Sequence, residues 1–93
     1  KGGVAQIIKA LSNEWAGQGV NVNAIAPGYM ATELTANIKE VNPKQYEEIT
    51  SRIPAGRWGR MEDLQGLAVF LASDASSYIS GAVIPVDGGF MGK

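Results

Sequence analysis

Residues Asn21–Thr32 read NVNAIAPGYMAT. The first part predicts a short strand that ends at Pro27-Gly28, where little side-chain bulk covers the backbone. Thr32 closes the stretch as a candidate helix N-cap. In an open α/β sheet, ligands bind in the crevice beyond the carboxyl ends of the strands. The segment therefore predicts one wall of a binding site at the end of a strand.

Composition limits the classes of protein to which the chain can belong. It has 93 residues, 45% of them hydrophobic, and a formal net charge of −1. This near-neutral balance predicts no nucleic-acid partner and no anionic membrane partner. The chain contains neither cysteine nor histidine, so a metal site would need carboxylates alone, and we expect none. The lack of cysteine fits a reducing compartment, and we expect a cytoplasmic protein.

Apolar residues at helical spacing precede the strand. They predict an amphipathic helix from about Val4 to Ala16, which glycines 17 and 19 end. The strand itself is expected over Val20–Ala26 and contains Asn21 and Asn23. Because buried amides need hydrogen-bond partners, we expect these two side chains to tie neighbouring loops together.

Two short helices are predicted after the strand. Thr32 is expected to cap a helix over residues 33–39. Asn42 is then an N-cap, with Pro43 at the first helical position and Gln45 at the third. Periodicity alone leaves open whether this pair of helices is a lid over a site or an ordinary connection.

The last third of the chain predicts one more helix and one more strand. The helix is expected from about Met61 to Ala72, and its apolar positions cover more than one face. Such a helix is buried on several sides, in a core or against another subunit. Pro85 confines the strand Gly81–Val86 to a sheet edge, and Asp87-Gly88-Gly89 is expected to be a turn. The order of elements is that of a parallel α/β sheet.

At this point the sequence resembles the short-chain dehydrogenase/reductase family over essentially its whole length. The resemblance rests on motifs in their usual order: Lys1-Gly-Gly-Val4, Asn21–Gly28 with Thr32, Arg57–Asp63, Phe70–Ser73 and Val86–Gly89. Met61 departs from it, since many members carry proline there. The resemblance implies the C-terminal part of a Rossmann-like, doubly wound parallel sheet. Residues 1–93 are then expected to be an incomplete portion of a single NAD(P)-binding domain.

Three further stretches resemble the sugar-acid dehydrogenases of this family: residues 13–16, 26–32 and 52–59. The implied activity interconverts a secondary alcohol and a ketone on a sugar acid such as 2-deoxy-D-gluconate. The implied cofactor is NAD or NADP, with NAD slightly favoured, and the implied assembly is a homotetramer. A 3-oxoacyl carrier-protein reductase-like enzyme and a non-catalytic oligomerisation module remain alternatives.

The resemblance also implies cofactor contacts. Lys1 would close the family's Tyr-x-x-x-Lys motif and bind the cofactor ribose. An ammonium about 4 Å from a phenol favours the phenolate by roughly 4 kcal/mol at an effective dielectric near 20. Pro27, Gly28, Met30 and Thr32 would form the wall against the nicotinamide, with the Met30 backbone and the Thr32 hydroxyl on its carboxamide. The tyrosine, the catalytic serine and the Gly-rich loop would lie upstream, so we expect the fragment alone to be inactive.

Three residues are expected to face the substrate. Tyr29 and Met30 lie in the turn beside the implied nicotinamide wall. Arg57 could grip a sugar-acid carboxylate bidentately. An ion pair that fixes the loop before the Met61 helix is the preferred role for Arg57.

Overall fold

The computed structural model describes residues 2–33 and 35–92, in which one α-helix precedes the first strand and three α-helices separate it from the second. The elements are α1 (Gly2–Trp15), β1 (Ala24–Pro27), α2 (Ile38–Val41), α3 (Pro43–Ser51), α4 (Glu62–Leu71) and β2 (Val83–Val86). The two strands pair in parallel, with the Ala24 N–H donating to the Ala82 carbonyl at 2.9 Å. Over the described ranges, no helix has both the length and the apolar character needed to cross a membrane.

The chain divides into two compact units. The first comprises the chain up to Ala26 together with Gly66–Ile84, and the second comprises Pro27–Gln65 together with the chain from Pro85. Within the described chain, the buried hydrophobic side chains are Ile53 and Trp58, at 4% and 7% exposure. Both belong to the second unit.

Before Ala24, side-chain hydrogen bonds add to the backbone bond that the Gly81 N–H donates to the Val22 carbonyl at 2.7 Å. The Asn23 amide donates to the Ile79 carbonyl, and its Oδ1 accepts from the Ala82 N–H, both at 3.0 Å. The Asn21 amide donates in the same way to a carbonyl of the loop before β2. The expected loop-tying role of the asparagines is confirmed, and it shortens the strand, which begins at Ala24 and not at Val20.

Of the described residues in the helix predicted over 33–39, only Ile38 and Lys39 are helical; Glu33 and residues 35–37 form turns, and for them the prediction is wrong. Helix α2 begins only at Ile38. The Thr35 hydroxyl instead accepts from the Thr32 N–H and donates to the Met30 carbonyl, both at 2.8 Å. A threonine hydroxyl that binds nearby backbone competes with helical pairing, and so short a helix has little stability of its own.

The start of α3 follows the local sequence. Its first residue is Pro43, and the Asn42 Oδ1 accepts from the Gln45 N–H at 3.2 Å. This confirms the predicted N-cap.

Helix α4 also follows its predicted bounds closely, but its apolar side chains are not buried by the described residues. None of its residues is buried by the described chain, and Val69 is 69% exposed. The several-sided burial expected for this helix is therefore not supplied by the residues that the structure describes.

Candidate functional site

Gly28 marks the point where the chain turns away from β1, and it packs against the turn that follows β2. Its N–H donates to the Val86 carbonyl at 3.1 Å. A Cβ atom at Gly28 would lie 2.6 Å from the Asp87 Cβ and 2.9 Å from the Asp87 Cα. Packing between the two turns therefore requires glycine here, independently of any ligand.

Asp87-Gly88-Gly89 forms the predicted turn. The Asp87 carboxylate accepts from the Gly89 N–H at 2.9 Å and from the Met91 N–H at 3.1 Å. Gly88 and Gly89 have φ values of 66° and 94°, in the region that glycine adopts at no steric cost. Both oxygens of the carboxylate thus serve the turn itself.

Two backbone hydrogen bonds hold the turn after β1 against the loop that precedes α4. The Gly59 N–H donates to the Tyr29 carbonyl at 2.9 Å, and the Ala31 N–H donates to the Gly59 carbonyl at 2.8 Å. They form an isolated parallel bridge between Met30 and Gly59. The backbone of Met30 is thereby fixed on both sides.

The polar groups of this turn fit a primary amide. The Met30 N–H makes no hydrogen bond to any of residues 2–33 or 35–92, while the Met30 carbonyl accepts only from Thr35. The half-buried Thr32 hydroxyl lies 3.4 Å from the Thr35 Oγ1, a long distance for an O–H···O bond. A primary amide offers one acceptor oxygen and two N–H donors, as does the carboxamide of nicotinamide.

Arg57 forms a bidentate ion pair with Asp63. The Nη1–Oδ2 distance is 2.8 Å and the Nη2–Oδ1 distance is 3.2 Å. The side-chain hydrogen bond to Asp63 raises the pKa of Arg57. Hydrogen bonds from Arg57 and from the Arg60 N–H hold the pKa of Asp63 well below its usual range. The structure thus contains the ion pair that the sequence predicts ahead of this helix.

This ion pair lies at a cavity of about 190 Å³. Tyr29 and Met30 line the same cavity, so three side chains expected to face substrate share one space. Pro27 is the exposed last residue of β1, and Lys1 lies outside the described residues. Across the ranges that the structure describes, no group of three or more acidic side chains could hold a metal ion.

A second cavity of about 250 Å³ contains the Thr32 side chain. Its walls are formed by the turn, by α2 and by aromatic rings: Ala31, Thr32, Thr35, Ala36, Lys39, Tyr46 and Trp58. The Trp58 ring stacks on the Tyr46 ring, with centroids 5.3 Å apart and an interplanar angle of 17°. The Trp58 Nε1–H donates to the Thr50 Oγ1 at 2.9 Å, so the stack is fixed.

Sequence reasoning missed two residues of this site. Thr35 holds the turn through its hydroxyl, and the signal for it was a second threonine three residues after Thr32. Trp58 builds the aromatic wall, but it stands in a polar loop with no periodicity, and no local pattern indicates its burial.

Comparisons with known proteins connect this geometry to a family. A family model described as enoyl-(acyl carrier protein) reductase matches residues 1–91. The chain is 57% identical over 93 residues to the 2-dehydro-3-deoxy-D-gluconate 5-dehydrogenase of Pseudoalteromonas atlantica, and 50% identical to that of Escherichia coli. Each alignment covers 100% of this chain and 36% of the relative. The chain thus spans about a third of the length of these curated relatives.

Solved structures agree with the sequence relatives. A protein from Agrobacterium tumefaciens, assigned as a 2-deoxy-D-gluconate 3-dehydrogenase and solved with bound NADP, matches with a TM-score of 0.92 at 50% identity. That match covers 98% of this chain and 37% of the other. A protein from Beutenbergia cavernae, assigned as an NAD(P)-dependent gluconate 5-dehydrogenase and also solved with NADP, gives a TM-score of 0.91 at 53% identity. That match covers 100% of this chain and 37% of the Beutenbergia cavernae protein. The predicted Rossmann-like α/β fold is confirmed, and the chain belongs to the short-chain dehydrogenase/reductase family.

Proposed function

We propose that the whole protein containing this chain is an NAD(P)-dependent oxidoreductase that interconverts a secondary alcohol and a ketone on a sugar acid. 2-Deoxy-D-gluconate and 2-dehydro-3-deoxy-D-gluconate represent the substrate class. The observation that carries the proposal is the Pro27–Thr32 turn: the Met30 N–H has no partner among residues 2–33 and 35–92, and together with the Met30 carbonyl and the Thr32 hydroxyl it matches the groups of a carboxamide. Identities of 50–57% to sugar-acid dehydrogenases support the substrate class.

The turn would bind and orient the nicotinamide. The Met30 N–H donates to the carboxamide oxygen, and the Met30 carbonyl accepts from the carboxamide N–H. The Thr32 hydroxyl makes a third contact, and Thr35 holds the Met30 carbonyl in place. When bound, NAD(P) supplies the hydride chemistry, and the protein supplies orientation.

The same proposal assigns roles around the turn. Lys1, outside the described residues, lowers the pKa of a tyrosine four residues before it and binds the cofactor ribose. Tyr29 and Met30 contact substrate, and helices α2 and α3 act as a lid. The Arg57 guanidinium is occupied by Asp63, so we assign Arg57 to fixing its loop and not to binding substrate.

The remaining proposals concern the whole protein. Residues 1–93 form part of a single NAD(P)-binding domain in a cytoplasmic homotetramer. Two solved relatives contain NADP, so the cofactor test must include both NADP and NAD.

Kinetics of the enzyme produced from its full coding sequence test the proposed function. Formation of reduced nicotinamide is measured with 2-deoxy-D-gluconate and with a 3-hydroxyacyl thioester, using NAD and NADP in turn. We expect the sugar acid to give the higher kcat/KM. A higher kcat/KM for the thioester would replace this function with a carrier-protein reductase activity.

A Thr32→Val variant tests the carboxamide contact, with Thr32→Ser as the matched control. One neutral hydrogen bond contributes about 0.5–1.5 kcal/mol, so Thr32→Val should raise KM for NAD(P) about 2- to 12-fold. Thr32→Ser keeps the hydroxyl and should stay close to wild type. Equal KM values for wild type and Thr32→Val would exclude the contact.

A further inference from the structure

Lys39 brings a positive charge to the cavity that contains Thr32. It lies on α2 and is the one charged residue among the described residues that line this cavity. The ion pairs found in the described chain use Arg57 and Arg60, with Glu62 and Asp63 as their partners. Lys39 takes part in none of them, so its ammonium remains available for an anion.

The Lys39 ammonium lies over the aromatic stack. The Nζ atom lies 5.7 Å from the centroid of the Tyr46 ring, within the range of a cation–π contact. The Tyr46 ring rests in turn on the buried Trp58, whose Nε1–H binds Thr50. Thr50 also donates to the Tyr46 carbonyl at 2.7 Å. The cation therefore lies beside the cavity and over a pair of aromatic rings that hydrogen bonds hold in position.

Arg57 is a poorer receptor for an anion than Lys39. Its guanidinium already holds the Asp63 carboxylate through two hydrogen bonds. A second carboxylate brought to Arg57 would meet the negative charge of Asp63, which opposes its binding. The cavity that contains Lys39 has no acidic side chain in its described lining, so no negative charge there opposes an incoming carboxylate.

We propose that Lys39 binds the carboxylate of the sugar-acid substrate and thereby selects acids over neutral polyols. The assignment rests on the proposed function, since it names the group that recognises the acid end of that substrate. The Lys39 ammonium donates hydrogen bonds to the carboxylate oxygens. The Thr32 and Thr35 hydroxyls and the aromatic rings line the remainder of the cavity.

The test compares Lys39→Met with Lys39→Arg in the whole enzyme. Lys44→Met is the matched control, because Lys44 is an exposed cation on the first turn of α3 that does not line the cavity. Steady-state kinetics are measured for 2-deoxy-D-gluconate and for the corresponding neutral alditol. Calorimetry gives the Kd of 2-deoxy-D-gluconate in the presence of the cofactor.

We expect Lys39→Met to raise the KM and the Kd of the acid about tenfold. This factor corresponds to the smallest free energies measured for a hydrogen bond to a charged group. The KM for NAD(P) and the kcat/KM for the alditol should not change. Lys39→Arg should retain most of the affinity for the acid, and Lys44→Met should match wild type.

Two results would overturn the assignment. An active enzyme in which Lys39→Met binds the acid as tightly as Lys44→Met shows that the carboxylate lies elsewhere. An equal loss of kcat/KM for the acid and for the alditol shows that Lys39 supports the shape of the cavity and does not bind the carboxylate. If the wild-type enzyme oxidises no sugar acid, the proposed function fails first and this assignment falls with it.

Discussion

Replacing Gly28 by alanine perturbs the packing that positions the cofactor turn. The added Cβ would lie 2.6 Å from the Asp87 Cβ and 2.9 Å from the Asp87 Cα. The second of these atoms is backbone and cannot rotate away. Overpacking of this kind costs about 1–3 kcal/mol, and alanine recovers about 0.4–1 kcal/mol by restricting the unfolded chain. We expect the free energy of unfolding to fall by about 1–2 kcal/mol in all.

Urea unfolding of the whole enzyme measures this loss, and Gly17→Ala is the control. A Cβ at Gly17 would have no heavy atom within 4 Å, so Gly17→Ala should lack the packing cost and raise the free energy of unfolding by about 0.4–1 kcal/mol. Gly28→Ala should also raise KM for NAD(P), because the turn carries Met30 and Thr32. Equal stability of the two alanine variants would refute the reasoning, since it would mean that Asp87 moves aside without cost.

Two further predictions concern the loop before α4 and the start of that helix. Trp58→Phe keeps an aromatic ring against Tyr46 but removes the donor to Thr50 and shortens a buried side chain, so urea unfolding should show a loss of at least about 1 kcal/mol; unchanged stability would mean that neither the hydrogen bond nor the lost packing contributes net. The pKa of Asp63 is lowered by its hydrogen bond from Arg57, so its contribution to stability is complete above about pH 4 and is lost as pH falls through the lowered pKa. Stability measured against pH should therefore fall more steeply below about pH 4 in wild type than in Asp63→Asn, and parallel curves would contradict this.

Short-range patterns predicted the start of α3 and the turn after β2 well. Asn42, Pro43 and Gln45 specify a cap because all the groups involved lie within three residues of one another. The glycines after Asp87 specify a turn for the same reason. The role of Asn23 was also predictable, since an amide within a strand must find partners, although its partners could not be named.

Local patterns failed where two nearby groups compete for the same atoms and where a contact is made across a loop. Thr32 looked like a helix cap, but the Thr35 hydroxyl binds the Met30 carbonyl and the turn persists. The aromatic wall could not be predicted, because Trp58 reaches Tyr46 only through the path of the intervening loop. Lys39 consequently showed no sign of standing at a cavity.

The sequence by itself determined the order of α/β elements, the end of β1 at Pro27-Gly28 and the family. These features depend on periodicity, caps and turn residues that act within a few positions of the chain. Only the tertiary structure decided why position 28 must be glycine and that Lys39 lies over the Tyr46 ring at the edge of a cavity. Gly28 meets Asp87 from a distant part of the chain, and the Lys39 ammonium meets the ring of Tyr46, which lies on the next helix. Contacts of this kind depend on the folded path and not on local pattern.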